Sequence, residues 1–297
     1  MKSLREVLAD AEARHVAVGH FNISDLGALK AIFAAARELQ LPVLIGVSEG
    51  EREFIGVRSA AALIKSLREQ YDYPIFLNAD HTHSLDKAKE AAEAGFDEII
   101  FDNSSLPMEQ NIANTKEAVA AIRAINPEIV IEGEIGYIGS SSEVMDAAPT
   151  GIALSTPEEA VRFVTETGID VLAPAVGNMH GLLKSMTIGG ADAARKHLDI
   201  ARIAAIKTAI GAVGGGGKFM TLHGGSGTED ADFVAAAKAG MTIIHVSSEL
   251  RLAWRRGIEE GLAKDPNEIA PYKLVAPAVA AIQKIVEDRL RLFNGLA

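Results

Sequence analysis

Short apolar runs rich in β-branched residues alternate with longer amphipathic runs from one end of this chain to the other. The short runs are Val16–Phe21, Pro42–Val47, Ile75–Asn78, Glu98–Phe101, Ile129–Glu134, Val171–Ala175, Met220–His223 and Thr242–Val246. Between them the helical period is read over Asp25–Leu39, Glu51–Gln70, Leu85–Ala94, Met108–Ile125, Thr156–Thr167, Leu198–Ala209 and Ala231–Ala239. Eight strands in βα alternation over 297 residues predict a (β/α)8 TIM barrel, a single domain over residues 1–297. A doubly wound sheet is the alternative. It places a glycine-rich loop after its first strand, where this chain has only Val18-Gly19-His20-Phe21-Asn22.

Two stretches read as loop or lid: Gly136–Thr150 and Gly211–Lys218, the latter with four consecutive glycines. Thr156-Pro157-Glu158-Glu159 is a helix start, with Thr as N-cap and Pro in the first turn. The stretch from Val275 to Leu292 is amphipathic and expected to pack on the barrel as a C-terminal helix.

Composition narrows the function classes. Cysteine is absent, which removes disulfides and thiolate metal sites. The net charge of −11 disfavours a nucleic-acid surface. No run reaches the roughly 18 apolar residues of a membrane span. Met1-Lys2-Ser3-Leu4-Arg5-Glu6 lacks the apolar core of a signal peptide, so a cytoplasmic protein is expected.

Three histidines fall just past apolar runs: His81, His180 and His223. Barrel active sites are built at the C-terminal ends of the strands. Three imidazoles there suffice to hold a catalytic zinc with one position open to substrate. Taken singly, each would more often be a surface or satisfied core residue. Asp80 beside His81 is a candidate acid/base; its plainer reading is an Asx cap on the following turn. Asp102 and Glu134 also end strands, and Glu132 shares the parity of Glu134, so both point to one face. Carboxylates inside a barrel mouth bind cations, titrate, or pair with a buried Lys or Arg. Gly224-Gly225-Ser226-Gly227 can present N–H groups and a hydroxyl to an anion, with Ser247 and Ser248 next to it after the last strand. In barrels the loops after the seventh and eighth strands often form the phosphate site.

This ordered set resembles the class II, metal-dependent ketose-bisphosphate aldolases, which include fructose-bisphosphate and tagatose-bisphosphate aldolases. The resemblance runs over nearly the whole chain. It begins at Ala17-Val18-Gly19-His20-Phe21-Asn22 and continues through Ala79-Asp80-His81, Ile131-Glu132-Gly133-Glu134-Ile135-Gly136 and Gly177-Asn178-Met179-His180-Gly181. It reaches Leu222-His223-Gly224-Gly225-Ser226-Gly227 and the C-terminal helix. It implies zinc on His81, His180 and His223, with Asp102 and Glu134 holding a second or alternate metal position, divalent or monovalent. It implies Asp80 as acid/base at the hydroxyl beside the scissile bond. Phosphate falls to Gly181, Gly224, Gly225 and Ser226, and a further substrate contact to Ser48. The implied reaction is reversible cleavage of a phosphorylated ketose, of the fructose-1,6- or tagatose-1,6-bisphosphate type. Its products are dihydroxyacetone phosphate and an aldehyde such as glyceraldehyde 3-phosphate. A homodimer or homotetramer in carbohydrate metabolism, such as glycolysis, is implied too.

The chain departs from the family pattern in several places. The lid glutamate position, eight residues beyond Glu134, is Ser142, with Glu143 beside it as a substitute by a one-residue shift. An asparagine near the substrate ketone is His245, and the Asp-Thr or Ala-Thr pair after it is Ser247-Ser248. An Asp-Pro-Arg-Lys stretch of one branch reads Ala270-Pro271-Tyr272-Lys273, which removes an arginine from the phosphate inventory. His83 adds an imidazole of no family role. Two alternatives therefore stand beside the aldolase: a metallohydrolase barrel using His81-Thr82-His83, and a non-catalytic partner subunit of an aldolase.

Overall fold

The computed structural model describes residues 2–139, 143–147, 153–187, 195–213 and 218–296. Eight parallel strands close into a barrel: β1 Val18–Asn22, β2 Val43–Val47, β3 Ile75–Thr82, β4 Glu98–Phe101, β5 Val130–Ile135, β6 Val171–Pro174, β7 Phe219–Leu222 and β8 Ile243–Val246. Neighbours in the barrel are neighbours in sequence, and β1 closes on β8 with Val18 opposite Ile243. Helices follow the strands as expected. The helical run after β2 is broken at Gly56 into Glu49–Ile55 and Val57–Tyr71, because Gly56 sits at φ +91°, outside helical space.

Among the described residues two long helices escaped the sequence reading. Leu4–Ala13 plugs the N-terminal end of the barrel, capped reciprocally by Ser3 and Glu6. Ser248–Lys264 follows β8, and the C-terminal helix, observed over Ala276–Phe293, packs on it and on Leu26–Leu39. The expected start at Thr156 is observed: its hydroxyl accepts from Glu159 N–H, and the Glu159 carboxylate accepts from Thr156 N–H at 2.8 Å. The helix Ile200–Ala212 runs into what was read as a glycine loop. Two short strands outside the barrel, Val144–Met145 and Leu182–Leu183, pair in parallel above its mouth. Among the described residues no helix is long and apolar enough to cross a membrane.

Strand alternation divides the side chains between two environments. One set faces the helices and forms the large apolar cluster that includes Phe21, Ile45, Leu77, Ile99, Ile131, Leu172, Leu222 and Ile244. The other fills the barrel in layers. The lowest layer is apolar, with Val18, Leu44, Phe76, Val130, Val171, Phe219 and Ile243 packed on Leu4, Val7, Leu8 and Ala11 of the plug helix. Two residues further along, the interior turns polar: His20, Asn78, Glu132, Thr221 and His245, joined by Glu98, are all buried. His20 fits only because its ring lies against Gly46 of β2. A Cβ on Gly46 would stand 2.1 Å from His20 Cε1.

Candidate metal centre and the cavity above it

Regular alternation would point Asp80 into the barrel and His81 out toward the helices. The strand breaks that rule. His81 has φ +39°, and the pairing of β3 with β4 shifts register between Ala79 and Thr82. A left-handed residue inside a strand is costly for any side chain but glycine, and it marks a place where surrounding contacts hold the backbone. Arg52 supplies them: its buried guanidinium donates to Val47 O (2.6 Å), Asp80 O (3.1 Å) and Thr82 Oγ1 (3.0 Å). The bulge turns both Asp80 and His81 toward the mouth.

His81, His180 and His223 converge there. Ring centroids lie 4.8 Å apart for His81 and His180, 4.8 Å for His81 and His223, and 6.1 Å for His180 and His223. One ligand atom from each, and one from Glu134, fall within 4.8 Å of one another. His180 sits on the loop after β6 rather than at the strand end. Asn178 ties that loop down: its Oδ1 accepts from Val176 N–H (2.8 Å) and its Nδ2 donates to His223 O (3.0 Å).

A carboxylate behind His81 sets its tautomer. Asp102 Oδ2 is 2.8 Å from His81 Nδ1, and Asp102 Oδ1 accepts from Ser104 N–H at 2.9 Å. Asp102 is therefore not in the convergent group; it holds His81 so that Nε2 faces the centre. His223 lies between two acids. Its Nδ1 is 2.7 Å from Glu134 Oε2, while Glu132 Oε1 approaches Nε2 to 2.5 Å out of line for a good hydrogen bond. Among the described residues neither glutamate has the Lys or Arg partner that sequence allowed. Burial opposes charge on His81, but Asp80 and the hydrogen bond to Asp102 outweigh it and raise the imidazole to about 9. His223 is likewise raised against burial by Glu132 and Glu134. Burial and the two neighbouring rings push His180 well down, which leaves it a neutral donor of a lone pair.

Asp80 is 5% exposed, with Oδ2 fixed by Asn22 Nδ2 at 2.8 Å. Its Oδ1 has no hydrogen-bond partner and stands 3.8 Å from His81 Nε2 and 3.7 Å from His245 Nδ1. Burial favours the acid form, but His81, His20 and His223 outweigh it and hold the carboxyl well below its ordinary range. His245 stacks on His20 with centroids 3.5 Å apart and planes 9° from parallel. Burial lowers both rings, His20 to about 4, so the pair is neutral. Beside them Glu98 accepts from Asn78 Nδ2 at 2.6 Å and is raised well above a normal carboxyl by burial and Glu132.

A cavity of about 420 Å³ opens above this group, lined among others by Ser48, His81, Asp102, Tyr137, His180, Gly181, Gly224, Ser226, His245, Ser247, Ser248 and Arg251. Ser48 caps the helix Glu49–Ile55, and its hydroxyl donates to Glu51 Oε2 at 2.9 Å. Glu51 also takes Asn22 Nδ2 (3.0 Å) and Arg251 Nη2 (2.7 Å). Gly224 has φ +60°, and a Cβ there would stand 2.3 Å from Met179 O, so only glycine lets the two loops touch. Gly225 N–H is already donated to His245 O (3.1 Å), which leaves the loop's anion capacity to its neighbours. Ser226 Oγ receives Ser247 N–H (3.3 Å) and Glu249 N–H (3.2 Å), while the Ser247 hydroxyl is buried without a partner.

The remaining expectations fall outside the centre. His83 is on the rim, its side chain 57% exposed, with Nδ1 on Asp102 O at 2.9 Å; it does not join the convergent group, whereas His180 does. Glu143 is exposed just before the strand Val144–Met145 and does not line the cavity; its carbonyl accepts Leu182 N–H. Ser142 lies outside the described residues. Asn22 and Asn178 stand in the quoted motifs without an assigned role, and Glu51, Arg52 and Lys196 lie outside them. Asn22 carried a further signal, as the end residue of a strand whose alternate positions face the mouth.

The donor set fits a divalent metal of the zinc type. Three imidazoles and a carboxylate converge, one ring is neutral, and Asp102 stands behind His81 to set its tautomer. The sequence pattern of class-II fructose-bisphosphate aldolase matches residues 2–296. The chain is 33% identical over 296 residues to the fructose-bisphosphate aldolase of Geobacillus stearothermophilus, covering 99% of this chain and 96% of the relative. It is 32% identical to the probable fructose-bisphosphate aldolase of Bacillus subtilis (strain 168), covering 99% and 97%. Among solved structures, the YdjI aldolase from Escherichia coli K12 superposes with a TM-score of 0.79 at 25% identity, covering 98% of this chain and 96% of that one. A putative fructose-1,6-bisphosphate aldolase from Coccidioides immitis does so with 0.79 at 26%, covering 99% and 96%.

Proposed function

Because the chain belongs to the class II fructose-bisphosphate aldolase family, and is thus a metal-dependent aldolase, we propose that it cleaves a ketose bisphosphate of the fructose-1,6 or tagatose-1,6 type. The products are dihydroxyacetone phosphate and an aldehyde such as glyceraldehyde 3-phosphate, and the reaction is reversible. The observation that supports it best is the free Asp80 Oδ1 beside three convergent imidazoles at the floor of a serine- and glycine-walled cavity.

His81, His180 and His223 would hold zinc, with Glu134 within reach as an alternate ligand. A bound zinc supplies Lewis-acid polarisation of the ketone. Asp80, ionised and fixed by Asn22, takes the proton of the hydroxyl beside the scissile bond. As that oxygen becomes a carbonyl, the carbon–carbon bond breaks and its electron pair stays on the dihydroxyacetone phosphate half as an enediolate. A proton must then reach carbon, and in this reading Glu143 delivers it. Glu143 stands outside the cavity, so the role requires the Val144–Met145 strand to move inward over the substrate. Gly181, Gly224, Ser226, Ser247 and Ser248 wall the phosphate end, beside the N-terminus of Ser248–Lys264. Assembly as a homodimer or homotetramer, and a cytoplasmic place in carbohydrate metabolism, complete the reading.

Deuterium exchange at the hydroxymethyl carbon of dihydroxyacetone phosphate, followed by NMR, tests it. Zinc-loaded protein should exchange and EDTA-treated protein should not. Asp80→Ala should lose cleavage by about 10²- to 10⁴-fold while keeping its metal and the exchange, and Glu143→Ala should lose the exchange. No exchange from zinc-loaded protein would sink the aldolase half-reaction on this substrate. Unchanged cleavage in Asp80→Ala would remove that residue from the mechanism.

A further inference from the structure

Lys196 points inward. Its backbone is pinned to the glycine-rich loop: its N–H donates to Gly227 O (2.9 Å) and its carbonyl accepts from Glu229 N–H (3.1 Å). Its residue exposure is 5%. Burial pushes the amine down to about 7, but its three contacts favour the charged form: Nζ donates to Met179 O (2.7 Å), Gly181 O (2.7 Å) and Gly224 O (3.0 Å). These carbonyls flank His180 on both sides and follow His223. Among the described residues no carboxylate lies within ion-pair distance of Nζ.

The chemistry of that cage is specific. A neutral amine has two N–H donors and a lone pair, which would face the third oxygen; an ammonium has three donors for three oxygens. A ring of backbone carbonyls around one positive charge is also how proteins replace the hydration shell of potassium. Gly181 and Gly224 line the cavity, so the charge sits directly behind its phosphate end. We propose that the Lys196 ammonium is a built-in monovalent cation, locking the His180 loop to the Gly224 loop and supplying positive charge to a phosphate bound at Gly181, Gly224 and Ser226.

The proposal rests on the phosphate reading above, and the test separates the two. Inorganic phosphate binding is measured by calorimetry on the zinc-loaded protein in potassium, ammonium, sodium and tetramethylammonium chlorides at equal ionic strength, with thermal unfolding alongside. The wild type should bind phosphate equally in all four salts. Lys196→Ala should bind about tenfold more weakly in tetramethylammonium, the size of effect expected for one lost charge near the site. Potassium or ammonium, able to enter the vacated cage, should restore its affinity and raise its melting temperature. Lys196→Met keeps the volume without the charge, and should be weak in every salt with its metal retained. Wild-type affinity that varies with the cation overturns the proposal, as does unweakened phosphate binding in Lys196→Met. Lys196→Ala that no small cation restores, whether folded or not, overturns it as well. A wild type that binds no phosphate refutes the phosphate reading instead, while cation-dependent melting of Lys196→Ala still reports the cage.

Discussion

Replacing Asp102 with Asn inverts one hydrogen bond behind the metal centre. The wild-type carboxylate accepts twice, from Ser104 N–H at 2.9 Å and from His81 Nδ1 at 2.8 Å. In Asp102→Asn the amide oxygen must stay on Ser104, since the opposite flip sets the amide NH₂ against a backbone N–H. The NH₂ then faces His81 Nδ1, which can only accept. The ring proton is driven to Nε2, the nitrogen nearer Asp80 and turned to the centre, where it blocks a metal. Loss of such an orienting partner costs about 10- to 100-fold in metal affinity, or roughly 1.4–2.8 kcal/mol. Asp102→Ala removes the acceptor without imposing a donor, so its loss should be the smaller. Zinc affinity by competition against a chromophoric chelator at one pH, with circular dichroism confirming the fold, gives the ranking wild type, Ala, Asn. An Asn variant that binds zinc as well as the Ala variant or better would refute the tautomer reasoning.

Two further outcomes follow from the same geometry. Zinc binding near pH 7 should release about two protons, because the metal-free protein holds His81, at about 9, and His223, also raised, in their charged forms. Affinity should therefore climb with pH until both imidazoles have titrated. Binding heats that do not vary between buffers of different ionisation enthalpy would contradict this. Gly224→Ala places a Cβ 2.3 Å from Met179 O at φ +60°. It should cost about 3 kcal/mol, a drop of roughly 5–10 °C in melting temperature. Gly211→Ala, in a helix with nothing within 4 Å, should stabilise by about 0.5 kcal/mol instead. Melting curves that fail to separate the two variants would show that the contact of Gly224 with the His180 loop is not tight.

The barrel was legible in the order of apolar and amphipathic runs, because strand and helix periods are local properties of the chain. The three histidines and Asp80 were legible for a related reason. Once the strands are placed, their C-terminal ends must share one face, so residues far apart in sequence are brought to one mouth. What sequence could not decide was direction and partnership. Asp80 and His81 are adjacent, and alternation alone sends them to opposite sides; only the φ +39° bulge, braced by Arg52, brings both to the centre. Asp102 and Ser48 have the composition of a ligand and a substrate contact. Both line the cavity, and only packing shows that Asp102 also holds His81 and that the Ser48 hydroxyl donates to Glu51. Lys196 had no signal at all, because a carbonyl cage is made of backbone, and backbone oxygens converge only after distant loops have closed on each other.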